Sequence, residues 1–96
     1  RLDHCFTDLE RDDDGLARIV LRHPESGSAL TLWLDDAYGY LMLFTGDPLP
    51  DVARRSIAVE PMTCPPNAFR TRKAVIVLEP GRSFTCTWGL TPTDVP

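Results

Sequence analysis

Prolines and glycines divide this sequence into segments that are too short for long helices. Nine prolines and six glycines occur among the 96 residues, and both residue types favour turns. No stretch of about twelve residues shows the 3.6-residue apolar period of an amphipathic helix. The clearest pattern lies in Ala29–Leu34, where leucines occupy one face and Thr31 and Trp33 the other. This alternation is typical of a strand with one buried face.

Seven segments are predicted to be strands, because they are rich in branched or aromatic residues and are bounded by turn signals. They are Leu2–Leu9, Leu16–Arg22, Ala29–Leu34, Tyr40–Gly46, Ser56–Glu60, Ala74–Leu78 and Ser83–Leu90. The turn Glu79–Arg82 is expected to join the last two into a hairpin, and Pro61 is expected to end the fifth strand. A single helical turn is expected at Asn67–Arg70. The pattern predicts an all-β sandwich or barrel, with one domain or a piece of one.

The charge balance excludes some classes of partner. Ten Lys and Arg residues oppose 14 Asp and Glu residues, which gives a net charge of −4 with neutral histidines. A surface for nucleic acid or an anionic membrane needs a basic excess, so neither partner is expected. No apolar run approaches the roughly 18 residues of a membrane-spanning helix. The charge and the hydropathy pattern therefore predict neither a nucleic-acid partner nor a membrane partner.

The cysteines favour a reducing compartment. Cys5, Cys64 and Cys86 are odd in number and form no closely spaced pair. A small secreted domain held together by disulfides has a denser and even set. Reduced thiols in a cytoplasmic protein are the simpler interpretation.

Two groups of residues suggest metal ligands by composition, but their spacing does not favour a metal site. The acidic turn Asp12–Gly15 invites a calcium interpretation. When Gly15 takes the sixth place of an EF-hand loop, the twelfth place, which needs a bidentate Glu, is Leu21. The adjacent His4 and Cys5 point to opposite faces of a strand and cannot share one ion without a bulge. A solvated turn and no metal site are expected.

Glu60 is the strongest candidate for chemistry. Within its predicted strand, Ile57 and Val59 take one face, while Ser56, Ala58 and Glu60 take the other. The small neighbours leave space beside the carboxylate, and the proline-rich loop that follows could wall that space. A partly enclosed carboxylate can have a raised pKa and act as a general base. The alternative is a strand-end Glu on a solvated face.

Asp3 is a weaker candidate. It shares a predicted strand face with Cys5 and Thr7, so its carboxylate could accept hydrogen bonds from hydroxyl groups. The alternative is an edge-strand Asp whose hydrogen bonds are satisfied within the protein.

Several motifs resemble one family when they are taken in order. They are LDHCFTDL at Leu2–Leu9, FTGD at Phe44–Asp47, AVEPMTCPPNAF at Ala58–Phe69, LEPG at Leu78–Gly81 and the pair Trp88–Gly89. Together they resemble the C-terminal part of aldose 1-epimerases (galactose mutarotases), with the bacterial branch nearest. The resemblance covers nearly all 96 residues, and the block around Glu60 is its most specific part. It implies an all-β fold, namely a large antiparallel β-sandwich of the galactose mutarotase-like supersandwich type. Because family members are several-fold longer, residues 1–96 are expected to be a C-terminal segment of that sandwich.

The resemblance also implies roles for particular residues. Glu60 matches the general base that takes the proton from the anomeric C1 hydroxyl, and Asp3 matches an acidic residue that binds sugar hydroxyls. The family's general acid is a histidine upstream of this region, as are a second His and an Arg that hold the sugar. His4 and His23 do not match those positions. Met42 stands where many members have a glutamine, so sugar preference does not transfer.

The implied activity is mutarotation of hexoses such as galactose or glucose. Loss of the proton from O1 and protonation of the ring oxygen open the ring, and reclosure on the other face gives the opposite anomer. This chemistry requires no metal, nucleotide or redox cofactor. Because the acid is absent from these 96 residues, the isolated segment is expected to be inactive.

Two alternatives stay open, one a second enzyme with the same fold and the other a binding module without catalysis. A hexose-phosphate mutarotase would need basic residues for the phosphate. The nearby pair Arg54 and Arg55 could be mistaken for such residues, the alternative being a solvated loop. A carbohydrate-binding β-sandwich module without catalysis would use Trp33, Tyr38 or Trp88 as platforms for sugar rings.

Overall fold

The computed structural model describes residues 1–93. It confirms the all-β prediction, since the described chain consists of antiparallel strands and only one short helix. This composition is consistent with a β-sandwich. The elements are β1 Asp3–Thr7, β2 Ala17–Arg22, β3 Ala29–Leu34, β4 Tyr40–Phe44, β5 Ala58–Met62, α1 Ala68–Thr71 and β6 Trp88–Thr93. The described residues form two compact units, one from residues 1–9 and 38–84, the other from residues 10–37 and 85–93.

The first unit is built on a three-stranded sheet in the order β1-β4-β5. The central strand β4 is apolar on both faces, as its sequence predicted, and pairs with a neighbour on each side. Leu41 of this strand is only 4% exposed, and Tyr38 and Ala68 are also buried. The helical turn expected near Asn67 is present as α1.

Strand β5 departs from the prediction at both ends. It begins at Ala58 rather than Ser56, and it continues through Pro61 to Met62. Pro61 is paired with Leu41 in the register, so the expectation that this proline ends the strand is wrong. The reason is the position of β5 at the edge of the sheet, where a missing N–H removes no ladder hydrogen bond if it points away from the neighbour.

The second unit contains a three-stranded sheet in the order β2-β3-β6. The predicted alternation in β3 is confirmed: Leu34 is fully buried and Leu32 is 7% exposed. Ala17, which pairs with Leu34, is buried beside them. The opposite face of this sheet carries the more polar residues, among them Arg18 and Thr31.

The hairpin predicted near the end of the chain is not formed. Ala74–Leu78 contains no strand, and of Ser83–Leu90 only the end is extended, within β6. The turn itself is present, because the Arg82 N–H donates to the Glu79 carbonyl at 3.1 Å. Ala74–Leu78 therefore lacks a strand partner among residues 1–93, and Val77 is 77% exposed.

The turn type gives a physical reason for the missing hairpin. Pro80 occupies the second position of the turn, and Gly81 follows with a φ of 81°, which fits a type II turn. Type I and II turns splay the flanking strands, whereas the mirror-image types match the twist of paired strands. The turn therefore reverses the chain without aligning its two arms.

None of the helices within residues 1–93 has the length and apolar character that crossing a membrane demands.

Candidate functional site: one face of the β1-β4-β5 sheet

The two residues predicted for the site lie on the same face of one sheet. Asp3 is the register partner of Phe44 on β4, and Glu60 is the partner of Met42 on the same strand. Phe44 and Met42 are two residues apart, so their side chains point to one side of the sheet. We call this side the Glu60 face. Its residues are Asp3, Cys5, Thr7, Tyr40, Met42, Phe44, Ala58, Glu60 and Met62.

The spacing of strands fixes the gap between the two carboxylates. Asp3 and Glu60 lie on the two edge strands with β4 between them. Adjacent strands are about 4.8 Å apart and two residues advance about 7 Å, which puts their Cα atoms about 12 Å apart. The two carboxylates therefore lie on opposite edges of one face, with a residue of β4 between them.

Met42 occupies the centre of this gap. It is paired with Cys5 on one side and with Glu60 on the other, and it is half-buried. A thioether offers an apolar contact and only a weak hydrogen-bond acceptor. The centre of the Glu60 face therefore presents an apolar side chain.

The described residues leave both carboxylates exposed. Both Asp3 and Glu60 are exposed to solvent. The enclosure expected around Glu60 is not provided by residues 1–93. Its neighbours on the same strand face are Ala58 and Met62 rather than Ser56 and Ala58, so only one of them is small.

The proline-rich loop after β5 forms a groove of its own. The groove has a volume of about 420 Å³ and is lined by Met62, Cys64, Pro65, Pro66, Asn67, Ala68, Phe69 and Arg70. Glu60 does not line it, so the expectation that this loop walls the space beside Glu60 is wrong for the described residues. Asn67 has a φ of 67°, a left-handed conformation that asparagine tolerates better than most residues.

The segment Thr45-Gly46-Asp47 fastens the start of β1 to the end of β4. The Leu2 N–H donates to Thr45 Oγ1 at 2.9 Å, and the Thr45 N–H donates to the Leu2 carbonyl at 3.0 Å. The Thr45 hydroxyl reaches both the Leu2 carbonyl, at 3.1 Å, and Asp47 Oδ1. Arg54 Nε donates to Asp47 Oδ2 at 2.7 Å. This motif thus has a structural role beside the site, which the sequence pattern did not reveal.

These contacts set the charge of Asp47. The hydrogen bond from Thr45, together with the ion pair to Arg54, holds the pKa of the Asp47 carboxyl below its ordinary value of 3.8. Asp47 is therefore ionised at neutral pH and partly neutralises Arg54. Arg55 instead donates from Nη1 to the Asp51 carbonyl at 3.0 Å.

Neither histidine is placed on the Glu60 face. His4 follows Asp3 and points to the other side of the sheet, where its ring centroid lies 6.4 Å from that of Phe6. Its Nδ1 accepts the Asp3 N–H at 3.1 Å. His23 belongs to the second unit, where its Nδ1 accepts the Ser26 N–H at 3.3 Å. His4 thus lacks the position that a proton donor opposite Glu60 requires.

The acidic turn is organised around an arginine. Arg18 Nη1 lies 2.5 Å from Asp12 Oδ2, and Arg18 Nη2 lies 2.7 Å from Asp14 Oδ2. The hydrogen bond from Arg18 lowers the pKa of the Asp14 carboxyl. The Leu16 N–H, which donates to Asp14 Oδ1, lowers this pKa further. Within residues 1–93 no group of three or more His, Cys, Asp and Glu side chains is arranged to hold a metal ion.

All three cysteines are free thiols, and Cys5 is exposed on the Glu60 face.

Sequence comparison finds similarity to one protein of unassigned activity. This chain is 30% identical to the uncharacterized protein YihR of Escherichia coli (strain K12) over 82 residues, which are 85% of this chain and 24% of that protein. The chain thus spans about a quarter of the length of the curated relative it matches. No family model and no solved structure matches the chain. The similarity covers most of this chain, and the name of the relative states no activity.

Proposed function

We propose that this chain carries the base-bearing part of an aldose 1-epimerase that acts on hexoses. The observation that supports the proposal is the placement of Asp3 and Glu60 on one sheet face, on the two strands that flank β4. These are the two residues that the resemblance to aldose 1-epimerases singles out. The residues lie 57 positions apart in the chain, and only the antiparallel pairing of β4 with both strands brings them to the same surface.

The two carboxylates have different tasks in this proposal. Glu60 takes the proton from the C1 hydroxyl, and general-base assistance of this kind is worth about 10²–10⁴-fold in rate. Asp3 accepts hydrogen bonds from sugar hydroxyls and fixes the ring over Met42. The proton for the ring oxygen comes from a group outside residues 1–96, because His4 lies on the other face of the sheet. The 96-residue chain on its own is therefore expected to bind sugar without interconverting anomers.

The surroundings of Arg54 favour a neutral hexose over a hexose phosphate. Its guanidinium is paired with Asp47, which offsets the positive charge that a phosphate would need. We also expect the protein to be cytoplasmic, on the basis of its three free thiols.

The test is the rate at which fresh α-D-glucose or α-D-galactose approaches anomeric equilibrium, followed by polarimetry. It uses the natural protein that contains this segment, with and without Glu60→Gln. We expect the substitution to lower kcat about 10²-fold or more, while the circular dichroism spectrum is unchanged. Glu79→Gln is the matched control, since Glu79 is an exposed glutamate in a turn of the same unit. Full activity of the Glu60→Gln variant would overturn the assignment of the base.

A further inference from the structure

The second unit contains a groove that the proposed mutarotase site does not use. It lies on the polar face of the β2-β3-β6 sheet and has a volume of about 400 Å³. Its lining residues are Leu16, Arg18, Thr31, Trp33 and Thr91. The register pairs Arg18 with Trp33 and Thr31 with Thr91, so the groove crosses all three strands. We call it the Trp33 groove.

The indole of Trp33 forms the floor of this groove. Trp33 is paired with Gly89 on β6, and its ring occupies the space where a side chain at position 89 would lie. A Cβ at Gly89 would be only 2.9 Å from the indole Nε1 and closer still to two ring carbons. The glycine thus allows the ring to lie across the neighbouring strand, with the half-buried indole also lining the groove. Such a flat aromatic surface suits the apolar face of a sugar ring.

Hydrogen-bonding groups stand at the rim of the indole. The hydroxyl groups of Thr31 and Thr91 have no hydrogen-bond partner among residues 1–93. They lie next to each other on paired strands, within the spacing of a cross-strand pair. Arg18 binds Asp12 and Asp14 through its two Nη atoms, and its Nε–H makes no hydrogen bond with the described residues. An aromatic floor therefore has donors and acceptors on two sides.

The charges beside the groove favour a neutral ligand over an anionic one. Arg18 carries one positive charge, and its partners Asp12 and Asp14 carry two negative charges. The net charge at this rim is therefore negative, which disfavours phosphate, sulfate and carboxylate ligands. Neutral polyhydroxylated rings satisfy the hydroxyl groups without a charge penalty. Both carboxylates near the groove are held by Arg18, so the groove offers binding groups without a free base for catalysis.

We propose that the Trp33 groove is a second carbohydrate-binding site, which binds a neutral pyranoside without acting on it. The inference does not depend on mutarotase activity, because the groove and the Glu60 face belong to different units. It assigns to this protein a site for a saccharide unit in addition to the hexose proposed at Glu60.

Tryptophan fluorescence of the 96-residue chain provides a direct test, since these 96 residues contain two tryptophans. The probes are methyl β-D-glucopyranoside and methyl β-D-galactopyranoside, which have no free C1 hydroxyl and cannot undergo mutarotation. In the Trp88→Phe variant, where Trp33 is the only indole, we expect a saturable change in emission with at least one of these probes. In the Trp33→Phe variant the remaining indole, Trp88, is expected to show no saturable change. Absence of saturation in the Trp88→Phe variant would overturn the proposal.

A second pair of variants tests the groove without substituting Trp33. Thr91→Val removes a hydroxyl at the rim and is expected to weaken binding about three- to tenfold. Thr93→Val makes the same change on the same strand face, outside the groove, and is expected to leave affinity unchanged. Equal affinities for the two variants would count against the groove. Isothermal titration measures both affinities.

Two further measurements separate this site from the Glu60 face and test the charge argument. Glu60→Gln is expected to leave binding of the methyl glycosides at Trp33 unchanged, so a lost fluorescence response in that variant would contradict the second site. The methyl glycoside of glucuronic acid is expected to bind about tenfold more weakly than the neutral glucoside. Tighter binding of the acid would overturn the assignment of a neutral ligand.

Discussion

Thr45 and Asp47 show how a short polar segment can hold the first strand of a sheet at its edge. The Thr45 hydroxyl accepts the N–H of Leu2 and also lies within reach of the Leu2 carbonyl and of Asp47. Since Arg54 binds the other oxygen of Asp47, the carboxylate links Arg54, in the loop after β4, to Thr45, which binds Leu2 at the start of β1. Asp3, one of the two candidate site residues, follows Leu2 directly. The position of Asp3 thus depends on hydrogen bonds made by its neighbour Leu2.

The lowered pKa of Asp47 predicts how this network responds to acid. The ionised form is favoured in the folded state, so its stabilising effect is complete above the unfolded pKa of about 3.9. The effect is lost as the pH falls through the lower, folded pKa. Asp47→Asn should therefore lower the urea midpoint at pH 7, and the difference from the unmodified protein should shrink toward pH 2. Asp13→Asn is the control, because Asp13 is exposed and forms no ion pair with any described residue. A difference that persists unchanged at pH 2 would contradict this account.

The candidate site residues themselves were predictable to different degrees. The alternation around Asp3 and Glu60 gives the face of each residue within its own strand. It does not give the strand order, which depends on pairing between segments far apart in the chain. The shared face of Asp3 and Glu60 follows from the β1-β4-β5 order, which the sequence pattern could not supply. Trp33 was named as a candidate platform, but its grouping with Arg18, Thr31 and Thr91 in one groove could not be predicted for the same reason.

At the scale of the elements, the local sequence pattern predicted a strand correctly where one face of that strand is buried. The alternation of leucines identified β3 as a strand, because one face of β3 lies in the core of the second unit. Pro61 misled the prediction of β5, since a proline is excluded only from strands with neighbours on both sides. Ala74–Leu78 is rich in β-branched residues, but a strand needs a partner, and composition does not provide one.

The turn at Glu79–Arg82 offers a way to test why the predicted hairpin is absent. If the type II turn splays its two arms, then Pro80→Asn should allow a type I′ turn at Asn-Gly, whose twist matches paired strands. We expect new protection from hydrogen exchange in Ala74–Leu78, with Val77 opposite Phe84 in the new register. Protection is measured for each amide by NMR.

Pro80→Ala is the matched control for that substitution. Alanine removes the ring of Pro80 but disfavours the positive φ that a type I′ turn needs at this position. It should therefore leave Ala74–Leu78 unprotected. If Pro80→Asn also leaves this segment unprotected, the turn geometry is not what keeps the arms apart.

At the scale of the whole molecule, a modest negative charge accompanies considerable exposed apolar surface. The net charge at pH 7 is −4 and the isoelectric point is about 4.9. Large apolar side chains exposed among residues 1–93 include Leu21, Leu90, Trp88, Val77 and Phe69, the last at 94%. Charge repulsion keeps molecules with such surfaces apart, and this repulsion disappears at the isoelectric point. Solubility should therefore depend on pH more steeply than for a protein with a polar surface.

Leu90 provides a test of this balance that leaves the charge unchanged. It lies on the apolar face of the β2-β3-β6 sheet, opposite Leu32, and is 52% exposed. Light scattering should rise as the pH approaches 4.9, and Leu90→Gln should reduce that rise because it removes apolar surface at constant net charge. Thr93→Gln, an exposed position on the polar face of the same strand, should not reduce it. If both variants scatter as strongly as the unmodified protein at this pH, association does not proceed through the apolar face that contains Leu90.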